Sequence, residues 1–367
     1  MSWKNWPWTR GNKRSRRTHD LRELSEAVGV SGDEGDVRTV VTNAVREHVD
    51  EVRVDSMGNV LAFKRGTGEA GGTGPERMRV MLAAHMDEVG LMVVGHDKDG
   101  FLQVRTVGGI DPRLLPGTLL QVGSERIPGV IGVKPIHLLK GEEEKKAPSI
   151  EDLVVDIGAK GQNEAQKLAP VGTYITFSTE FRELGPTVCG KAFDDRAGCA
   201  VLVEILRGER FSFDLHAAFT VQEEVGLRGA QVAAYTIEPD CAFALEGTIA
   251  DDVPKDKDVS PTTEMGKGPA ITVMDRSFIA DRRLVRLLTN TAEECGIPYQ
   301  FKQPGVGGTD AGSIHLVREG VPAVTLAVPC RYIHSPVALL NLDDFNNTVQ
   351  LLRESLSRLT QHTLRRD

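Results

Sequence analysis

Residues 214–248, DLHAAFTVQEEVGLRGAQVAAYTIEPDCAFALEGT, alternate between two hydrophobic patterns. The first part, DLHAAFTVQ, and the last part, DCAFALEGT, contain short apolar runs that predict buried strands. Between them, LRGAQVAAYTI has apolar residues at the spacing of a helix. A strand, a helix and a second strand in succession are typical of a layered α/β fold.

The same alternation extends in both directions from this unit. Residues 185–367 contain further helical patterns, among them DDRAGCAVLVEILRG and the closing LDDFNNTVQLLRESLSRLTQ. Residues 21–90 add two helical patterns, a hairpin around Met57-Gly58-Asn59 and a core strand, RMRVMLAAH, that ends at His85. We therefore predict that residues 21–90 and 185–367 form one three-layer α/β/α domain.

Residues 91–184 have a different texture. Their apolar runs, such as GFLQVRTVGG and TYITFST, are short and are separated by Gly and Pro. Little of this segment has the length of a helix, so it is predicted to be a small, barrel-like β domain. Its position in the chain predicts that it is inserted into the α/β domain.

The composition is that of an ordinary globular protein. Of 367 residues, 40% are hydrophobic and 26% are charged, and no apolar run is long enough to span a membrane. The start of the chain has no secretory signal, so we expect a cytoplasmic protein without membrane insertion. The five cysteines are scattered without a CxxC pair, which fits reduced thiols. The net charge of −8 argues against nucleic acid as a partner, because phosphate contacts need clustered Lys and Arg.

The first 20 residues differ from the rest in composition. They contain all three tryptophans, Trp3, Trp6 and Trp8, together with six Lys or Arg and a single Asp. A solvated, disordered tail is the simpler prediction for residues 1–20. The alternative is a docking segment for a partner or an anionic surface, because Trp combined with Lys and Arg favours interfaces.

Acidic or imidazole side chains follow apolar core segments at several places in the chain. In open α/β sheets ligands gather at the carboxyl ends of strands, so these side chains are expected to meet. They are His85 with Asp87, Asp194 with Asp195, Glu223 with Glu224, Glu246, and His334. Imidazole and carboxylate ligands suit zinc, cobalt or manganese, and this set is large enough for two metals that share one carboxylate.

Each of these residues also has an ordinary structural explanation. A lone histidine at a strand end is commonly a hydrogen-bonded structural residue, and Asp194 alone is a candidate helix N-cap. Glu246 alone could be a buried salt-bridge partner. Thr309 and Asp310, in the loop GGTDAG, are candidates for substrate binding, but a simple turn accounts for them nearly as well.

Several motifs resemble those of the M42 family of dinuclear metalloaminopeptidases, the glutamyl aminopeptidase and tetrahedral aminopeptidase group. They are AAHMDEVG, GKAFDDRAGCAVL, TVQEEVGLRGA, FALEGTIADDVP, GGTDAG and CRYIHSP, and their order and spacing match over nearly all of residues 21–367. The resemblance implies that the α/β domain is catalytic and that the inserted β domain serves oligomerisation or substrate access. It also implies two divalent metal ions per subunit, with zinc favoured and cobalt or manganese as alternatives.

The resemblance assigns the metal ligands. One ion is expected on His85, Asp194 and Glu246, and the other on Asp194, Glu224 and His334, so that Asp194 bridges them. The family often has Asp where this chain has Glu246, and the longer side chain leaves the local geometry of that ion open.

The resemblance also assigns the residues around the ligands. Glu223 is the implied general base, and Asp87 is the implied second catalytic residue, which orients His85 through the second ring nitrogen. Asp195 is expected to hold an unusual backbone turn beside the bridge. His137, in the β domain, is expected to be structural or to lie at a subunit contact and not to ligate metal.

The implied function is a cytoplasmic aminopeptidase that removes N-terminal residues from short peptides. A metal-bridging water would be the nucleophile, and Glu223 would move its proton. A homo-oligomer is expected, from a dimer to a hollow tetrahedral dodecamer. The alternatives are a related metal-dependent deacylase or carboxypeptidase of the wider clan, an endoglucanase-type glycoside hydrolase, whose chemistry also uses paired carboxylates, or a scaffold without catalytic activity.

Overall fold

The fold consists of one large sheet covered by helices and a separate closed barrel. The structure is a computed structural model, and it describes residues 16–68, 77–138, 141, 146–253 and 262–365. Within these ranges the large sheet has 11 strands, and the barrel closes in the order β4-β5-β8-β7-β6-β9. The strands, numbered in chain order, are β1 (Glu51–Val54), β2 (Val60–Lys64), β3 (Arg79–His85), β4 (Gly90–His96), β5 (Leu102–Val107), β6 (Leu119–Val122), β7 (Ile127–Gly132), β8 (Val154–Asp156), β9 (Tyr174–Phe177), β10 (Arg182–Leu184), β11 (Thr187–Gly190), β12 (Asp214–Thr220), β13 (Cys241–Ile249), β14 (Ala270–Thr272), β15 (Gln300–Phe301), β16 (Ala323–Arg331) and β17 (Ala338–Asn341).

Four neighbouring parallel strands, β12, β3, β13 and β16, form the middle of the large sheet. Thr220 of β12 lies opposite His85 of β3, and Glu246 of β13 lies opposite Ala327 of β16. The apolar residues of these strands are buried almost without exception, as expected for parallel strands covered on both faces. Because the strands run in the same direction, their carboxyl ends meet at one edge of the sheet.

Helices cover both faces of this sheet, which confirms the three-layer α/β/α prediction. On one side, α4 packs against β3 and β13, and α8 packs against α4 and β16. On the other side, α5 packs against β12 and α7, and α7 packs against β13 and β16. No helix among the described residues is long and apolar enough to cross a membrane. The helices are α1 (Arg16–Glu26), α2 (Gly35–Val45), α3 (Gln162–Leu168), α4 (Phe193–Arg207), α5 (Arg228–Ile237), α6 (Arg282–Cys295), α7 (Ala311–Ile314) and α8 (Leu342–Arg358).

The closed barrel lies within the segment that was predicted to be an inserted β domain. It has an apolar core of its own, which includes Leu91, Val104, Val122 and Ile175. The barrel strands run from Gly90 to Phe177, whereas β10 pairs with β11 in the large sheet. The barrel therefore ends before the boundary predicted at residue 184. His137 is exposed in a 3-10 helix, Ile136–Leu138, that lies between two barrel strands.

The prediction of a disordered tail through residue 20 is wrong for residues 16–20, because α1 begins at Arg16. The side chains of Thr18 and Asp20 are buried, and Leu21 continues the buried face of the helix. Asp20 is ion-paired with Arg207 at the end of α4, so burial of its charge is compensated. The three tryptophans of the predicted tail lie outside the described residues.

Candidate active site

The candidate metal ligands come together at the carboxyl edge of the four central strands. His85 is the last residue of β3, and Glu223 with Glu224 lies in the turn that follows β12. His334 follows β16, and Asp194 lies at the start of α4. These four placements agree with the prediction that the polar residues follow core segments.

Glu246 is placed differently from the prediction. It lies inside β13, which continues to Ile249, and not beyond the end of a strand. The strand is longer than its apolar run because Gly247, Thr248 and Ile249 continue the parallel pairing with β16. The Glu246 carboxylate still reaches the site, because its Oε2 lies 3.4 Å from His85 Nε2.

Asp194 lies between two groups of donor atoms. Its Oδ1 is 3.3 Å from His85 Nε2, the nitrogen that Glu246 also approaches. Its Oδ2 is 3.5 Å from His334 Nε2, which lies 3.7 Å from Glu224 Oε2. In each group the three potential ligand atoms lie within 4.8 Å of one another. One carboxylate thus presents a separate oxygen to each of two candidate cation sites.

The electrostatics of the site fit cations. Burial, together with the neighbouring carboxylates, raises the pKa of Glu223 well above its usual range and the pKa of Glu224 to about 8. Burial likewise raises the pKa of Glu246, despite its contact with His85. Carboxylates this crowded and buried are costly when ionised without a compensating charge. Divalent cations would supply that charge, and oxygen with imidazole nitrogen is a donor set that zinc, cobalt and manganese accept.

The histidines respond to the same charges. Burial acts to lower the pKa of His85, but Glu223, Asp194 and the other carboxylates around the ring raise it well above its usual value. For His334, contacts with Asp194 and Glu224 outweigh burial and raise the pKa to about 9. His334 Nδ1 lies 2.8 Å from the carbonyl oxygen of Gly109, just beyond barrel strand β5, so its second nitrogen is already engaged.

Asp87 links the ends of β3 and β12. Its carboxylate accepts hydrogen bonds from the backbone N–H groups of Glu223 and Glu224, at 3.0 and 3.1 Å. It also accepts one from the Ser31 hydroxyl at 2.6 Å. Nδ1 of His85 lies 3.1 Å from the Asp87 carbonyl oxygen and 3.4 Å from its Oδ1. Asp87 is therefore a positioning residue for the imidazole and for both glutamates.

Asp195 links α4 to β3. Its Oδ2 accepts a hydrogen bond from the His85 backbone N–H at 3.1 Å, and its Oδ1 accepts one from Gly198 at 2.8 Å. The peptide bond between Asp194 and Asp195 is cis. A Cβ at Gly198 would lie only 2.3 Å from Asp195 Oδ1, so glycine is required for this close approach.

A buried ion cluster lies beneath the site. Glu88, next to Asp87, accepts from Lys191 Nζ at 2.5 Å and lies 3.4 Å from Arg196 Nη2. Arg196 also donates to the backbone carbonyls of Met86 and Leu24, at 2.8 and 2.6 Å. All three charged side chains are at most 3% exposed. Lys191 and Arg196 lie on either side of Asp194 in the chain, so the cluster connects the loop after β3 to the segment that carries Asp194 and positions it.

The two substrate-binding candidates occupy different places. Thr309 lines the cavity beside the candidate ligands, and its hydroxyl lies 2.9 Å from Thr325 Oγ1. Asp310 is fully buried and accepts a hydrogen bond from Thr220 Oγ1 at 2.5 Å. Its backbone N–H donates to Glu246 Oε1 at 3.2 Å. Asp310 thus supports Glu246 and, unlike Thr309, is not among the residues that line the cavity.

The cavity next to the candidate ligands has a volume of about 250 Å³. Its walls include apolar residues, a glycine pair and one lysine, namely Leu227, Ile249, Ile333, Gly307, Gly308 and Lys302. The sequence does not predict that Lys302 or the carbonyl group of Gly109 lies at the site. A lysine in a Gly-rich loop is expected to be exposed to solvent, and the position of a backbone carbonyl group depends on the fold.

Comparisons with known proteins agree with this fold. The model of the family described as M42 glutamyl aminopeptidase matches residues 58–351. A putative aminopeptidase of Acetivibrio thermocellus is 38% identical over 337 residues, covering 92% of this chain and 97% of that protein. A TET aminopeptidase structure from the marine sediment archaeon Thaumarchaeota archaeon SCGC AB-539-E09 has a TM-score of 0.88 at 38% identity, covering 95% of this chain and 99% of that chain.

Two further solved structures bear on assembly and on the alternative activities. The Pyrococcus horikoshii TET1 peptidase, described as assembling into a tetrahedron or a large octahedral shell, has a TM-score of 0.80 at 34% identity, covering 94% of this chain and 100% of that chain. A protein of Thermotoga maritima described as an endoglucanase has a TM-score of 0.76 at 34% identity, covering 94% and 97%.

Proposed function

This chain belongs to the M42 family of aminopeptidases, and from that premise we propose that it removes N-terminal residues from short peptides with the help of two divalent metal ions. The observation that carries the proposal is the position of Asp194, which presents one oxygen to each of two donor groups. A single-metal site would need only one of these groups.

The residues around Asp194 divide into two ligand sets. His85, Asp194 and Glu246 would hold one ion, and Asp194, Glu224 and His334 would hold the other. When bound, such a pair of ions lowers the pKa of a water molecule and stabilises the oxyanion that develops on the attacked carbonyl. Zinc is the preferred candidate, with cobalt or manganese as alternatives, because all three accept carboxylate and imidazole ligands.

Glu223 is the proposed general base. It belongs to neither ligand set, yet its Oε2 lies 3.8 Å from His85 Nε2, at the edge of the first set. Its backbone is fixed by Asp87, and its side chain is only 10% exposed. Potential ligand atoms of His85, Glu223 and Glu224 also lie within 4.8 Å of one another. The separate roles of the two glutamates therefore rest on the family resemblance as well as on geometry.

In the proposed reaction, Glu223 accepts a proton from the attacking water as the new C–O bond forms at the first peptide carbonyl. Glu223 then returns this proton to the departing amine nitrogen as the C–N bond breaks. The net reaction consumes one water and one peptide bond and leaves Glu223 in its original state. Burial raises the pKa of the Glu223 carboxyl, which strengthens it as a proton acceptor.

We also propose that the chain assembles into a homo-oligomer, from a dimer to a dodecamer. The support is the similarity to the Pyrococcus horikoshii TET1 peptidase together with a barrel that folds around its own core. Mass photometry or native mass spectrometry of the full chain tests this directly. A monomer at micromolar concentration would contradict the proposal.

A panel of aminoacyl p-nitroanilides tests the activity. We expect hydrolysis of substrates with a free α-amine and none of the N-acetylated counterpart. Chelation should lower the rate by at least about 10²-fold, and zinc, cobalt or manganese should restore it. Release of acetate from N-acetylated amino acids would favour a deacylase, and cleavage of C-terminal residues would favour a carboxypeptidase. Cellulose hydrolysis that survives chelation would favour the glycoside hydrolase.

A further inference from the structure

A second cavity lies between α1, α4 and α8, and none of its lining residues lines the cavity beside the candidate metal ligands. Its volume is about 820 Å³, within the range of sites that bind small molecules. Arginines dominate its charged walls, although the whole chain has a net charge of −8. The charged residues that line it are Arg16 and Arg17 of α1, Glu204 and Arg207 of α4, Glu209 and Arg210 just after α4, and Arg353 of α8.

Two carboxylates at this cavity are already engaged by arginines. Arg17 and Arg207 share the carboxylate of Glu204, at 2.6 and 3.3 Å. Arg207 also forms an ion pair with Asp20. Even with these two partners, Nε of Arg207 is buried and has no hydrogen-bond partner among the described residues. The acceptors around Arg207 are therefore fewer than its guanidinium group can use.

Two arginines of the cavity, Arg16 and Arg353, have no ion-pair partner in the described part of the chain. Arg16 is exposed at the start of α1. Arg353 is half-buried and donates one hydrogen bond, to the carbonyl oxygen of Glu204 at 3.3 Å. A third arginine, Arg210, is exposed while it pairs with Asp50 at 2.5 Å. Three guanidinium groups are thus accessible to a ligand in the cavity.

Capping of α4 does not account for this surplus of positive charge. Cations near the C-terminus of a helix ordinarily satisfy its last carbonyl groups. Lys64 already does so, because its Nζ donates to the carbonyl oxygens of Leu206 and Gly208, both at 2.6 Å. Arg353 adds a single longer bond to this helix end, and Arg16 forms no hydrogen bond with it among the described residues. Both charges therefore remain to be balanced.

The surrounding chain reinforces the positive charge. Burial lowers the pKa of His48, and the charges of Arg207 and Arg16 lower it further, so cations surround this imidazole as well. Residues 1–15, which precede Arg16, contain four Lys or Arg and no acidic residue. That segment adds positive charge to this part of the chain and does not neutralise it. An anionic ligand would supply the missing negative charge.

We propose that the cavity between α1, α4 and α8 binds a small molecule that carries a phosphate group, which Arg16, Arg210 and Arg353 hold. The planar fork of a guanidinium group matches the oxygens of a phosphate, and one phosphate brings about two negative charges. The site is separate from the catalytic centre. Asp194 and Arg207 lie near opposite ends of α4, roughly 20 Å apart at the helical rise per residue.

The test is isothermal titration calorimetry of the full chain with AMP, inorganic phosphate and adenosine. Adenosine is the uncharged counterpart of AMP, and inorganic phosphate lacks the organic part. We expect AMP and phosphate to bind and adenosine not to bind. Arg353→Met should weaken the binding of AMP by about 10–100-fold, the scale of a hydrogen bond to a charged group. Arg353→Lys should lose less, because it keeps the charge, and added salt should weaken binding to the native chain.

The matched control is Arg286→Met, which removes an exposed arginine of α6 and should leave the affinity for AMP unchanged. Melting temperatures and peptidase rates show whether each variant is folded, since none of these residues belongs to the catalytic site. If Arg353→Met does not fold, Arg16→Met decides, because Arg16 is exposed. Absence of binding by both AMP and phosphate, or equal binding of adenosine, would overturn the proposal. An affinity for AMP that the deciding variant leaves unchanged would place the anion elsewhere, for example at the catalytic cations, and would also overturn it.

Discussion

We expect the Glu223→Gln variant to lose about 10²–10⁴-fold in kcat while it keeps its fold and its metal content, since that is the usual contribution of a general base. Gln has the same shape as Glu but cannot accept the proton of the attacking water. The Asp87 hydrogen bond to the backbone of residue 223 does not involve the side chain, so the turn should be unchanged.

The measurement combines steady-state rates on a leucine or glutamate p-nitroanilide with metal analysis and thermal melting. Glu319→Gln is the matched control, because Glu319 is exposed on the surface and its replacement makes the same change of charge. A Glu223→Gln variant with near-native turnover would remove Glu223 from the role of base. A variant that loses metal as well as activity would instead identify Glu223 as a ligand, in line with its distance of 3.8 Å from His85 Nε2.

The Asp194→Asn variant should lose both metal ions, and its kcat should fall by about 10²–10³-fold or more. Removal of a single group that stabilises a transition state typically lowers kcat by that factor. Each Asp194 oxygen faces a different histidine, so an amide nitrogen in place of one oxygen breaks one set, and the loss of charge weakens both. The measurement is metal content per subunit after dialysis, with activity measured on the same samples.

The comparison for this prediction is Glu246→Gln. Glu246 belongs to the His85 set alone, so this variant should lose one ion and retain the one held by Glu224 and His334. Glu246→Asp, which restores the residue common in the family, should retain both. If Asp194→Asn and Glu246→Gln lost the same number of ions, Asp194 would not be a bridge.

The α/β fold can be predicted from the sequence because hydrophobic periodicity identifies strands and helices over short segments of the chain. The strand–helix–strand pattern of residues 214–248 corresponds to β12, α5 and β13, which are observed close to the predicted positions. The break in texture after residue 90 corresponds to the barrel, since short runs interrupted by Gly and Pro can form strands but not long helices. The sequence does not predict the start of α1 at Arg16, because the basic run there resembles a solvated segment. The ion pair between Asp20 and Arg207 joins residues that are distant in the chain.

The residue types of the site, and their order along the chain, are likewise properties of the sequence. Histidines and carboxylates after core segments indicate a metal site without any coordinates, because parallel strands bring their carboxyl ends to one edge. Family resemblance then divides them into ligands and base. Neither the residue pattern nor the family resemblance predicts that Glu246 lies within β13. Neither predicts that Asp87 accepts hydrogen bonds from the backbone N–H groups of Glu223 and Glu224.

Only the tertiary structure shows which side chains meet although they are distant in the chain. It also shows which charged side chains lack an ion-pair partner among the described residues. The distances from Asp194 to His85 and His334 depend on how α4 packs against the sheet. Burial of Lys302 depends on a loop whose hydrogen bonds reach β14 and the segment after it. Hydrophobic periodicity indicates the local backbone conformation. Burial and ion pairing depend instead on neighbours that are distant in the chain, and the sequence pattern does not identify those neighbours. The sequence therefore determines the types of residue that the site contains, and the fold determines which of them meet.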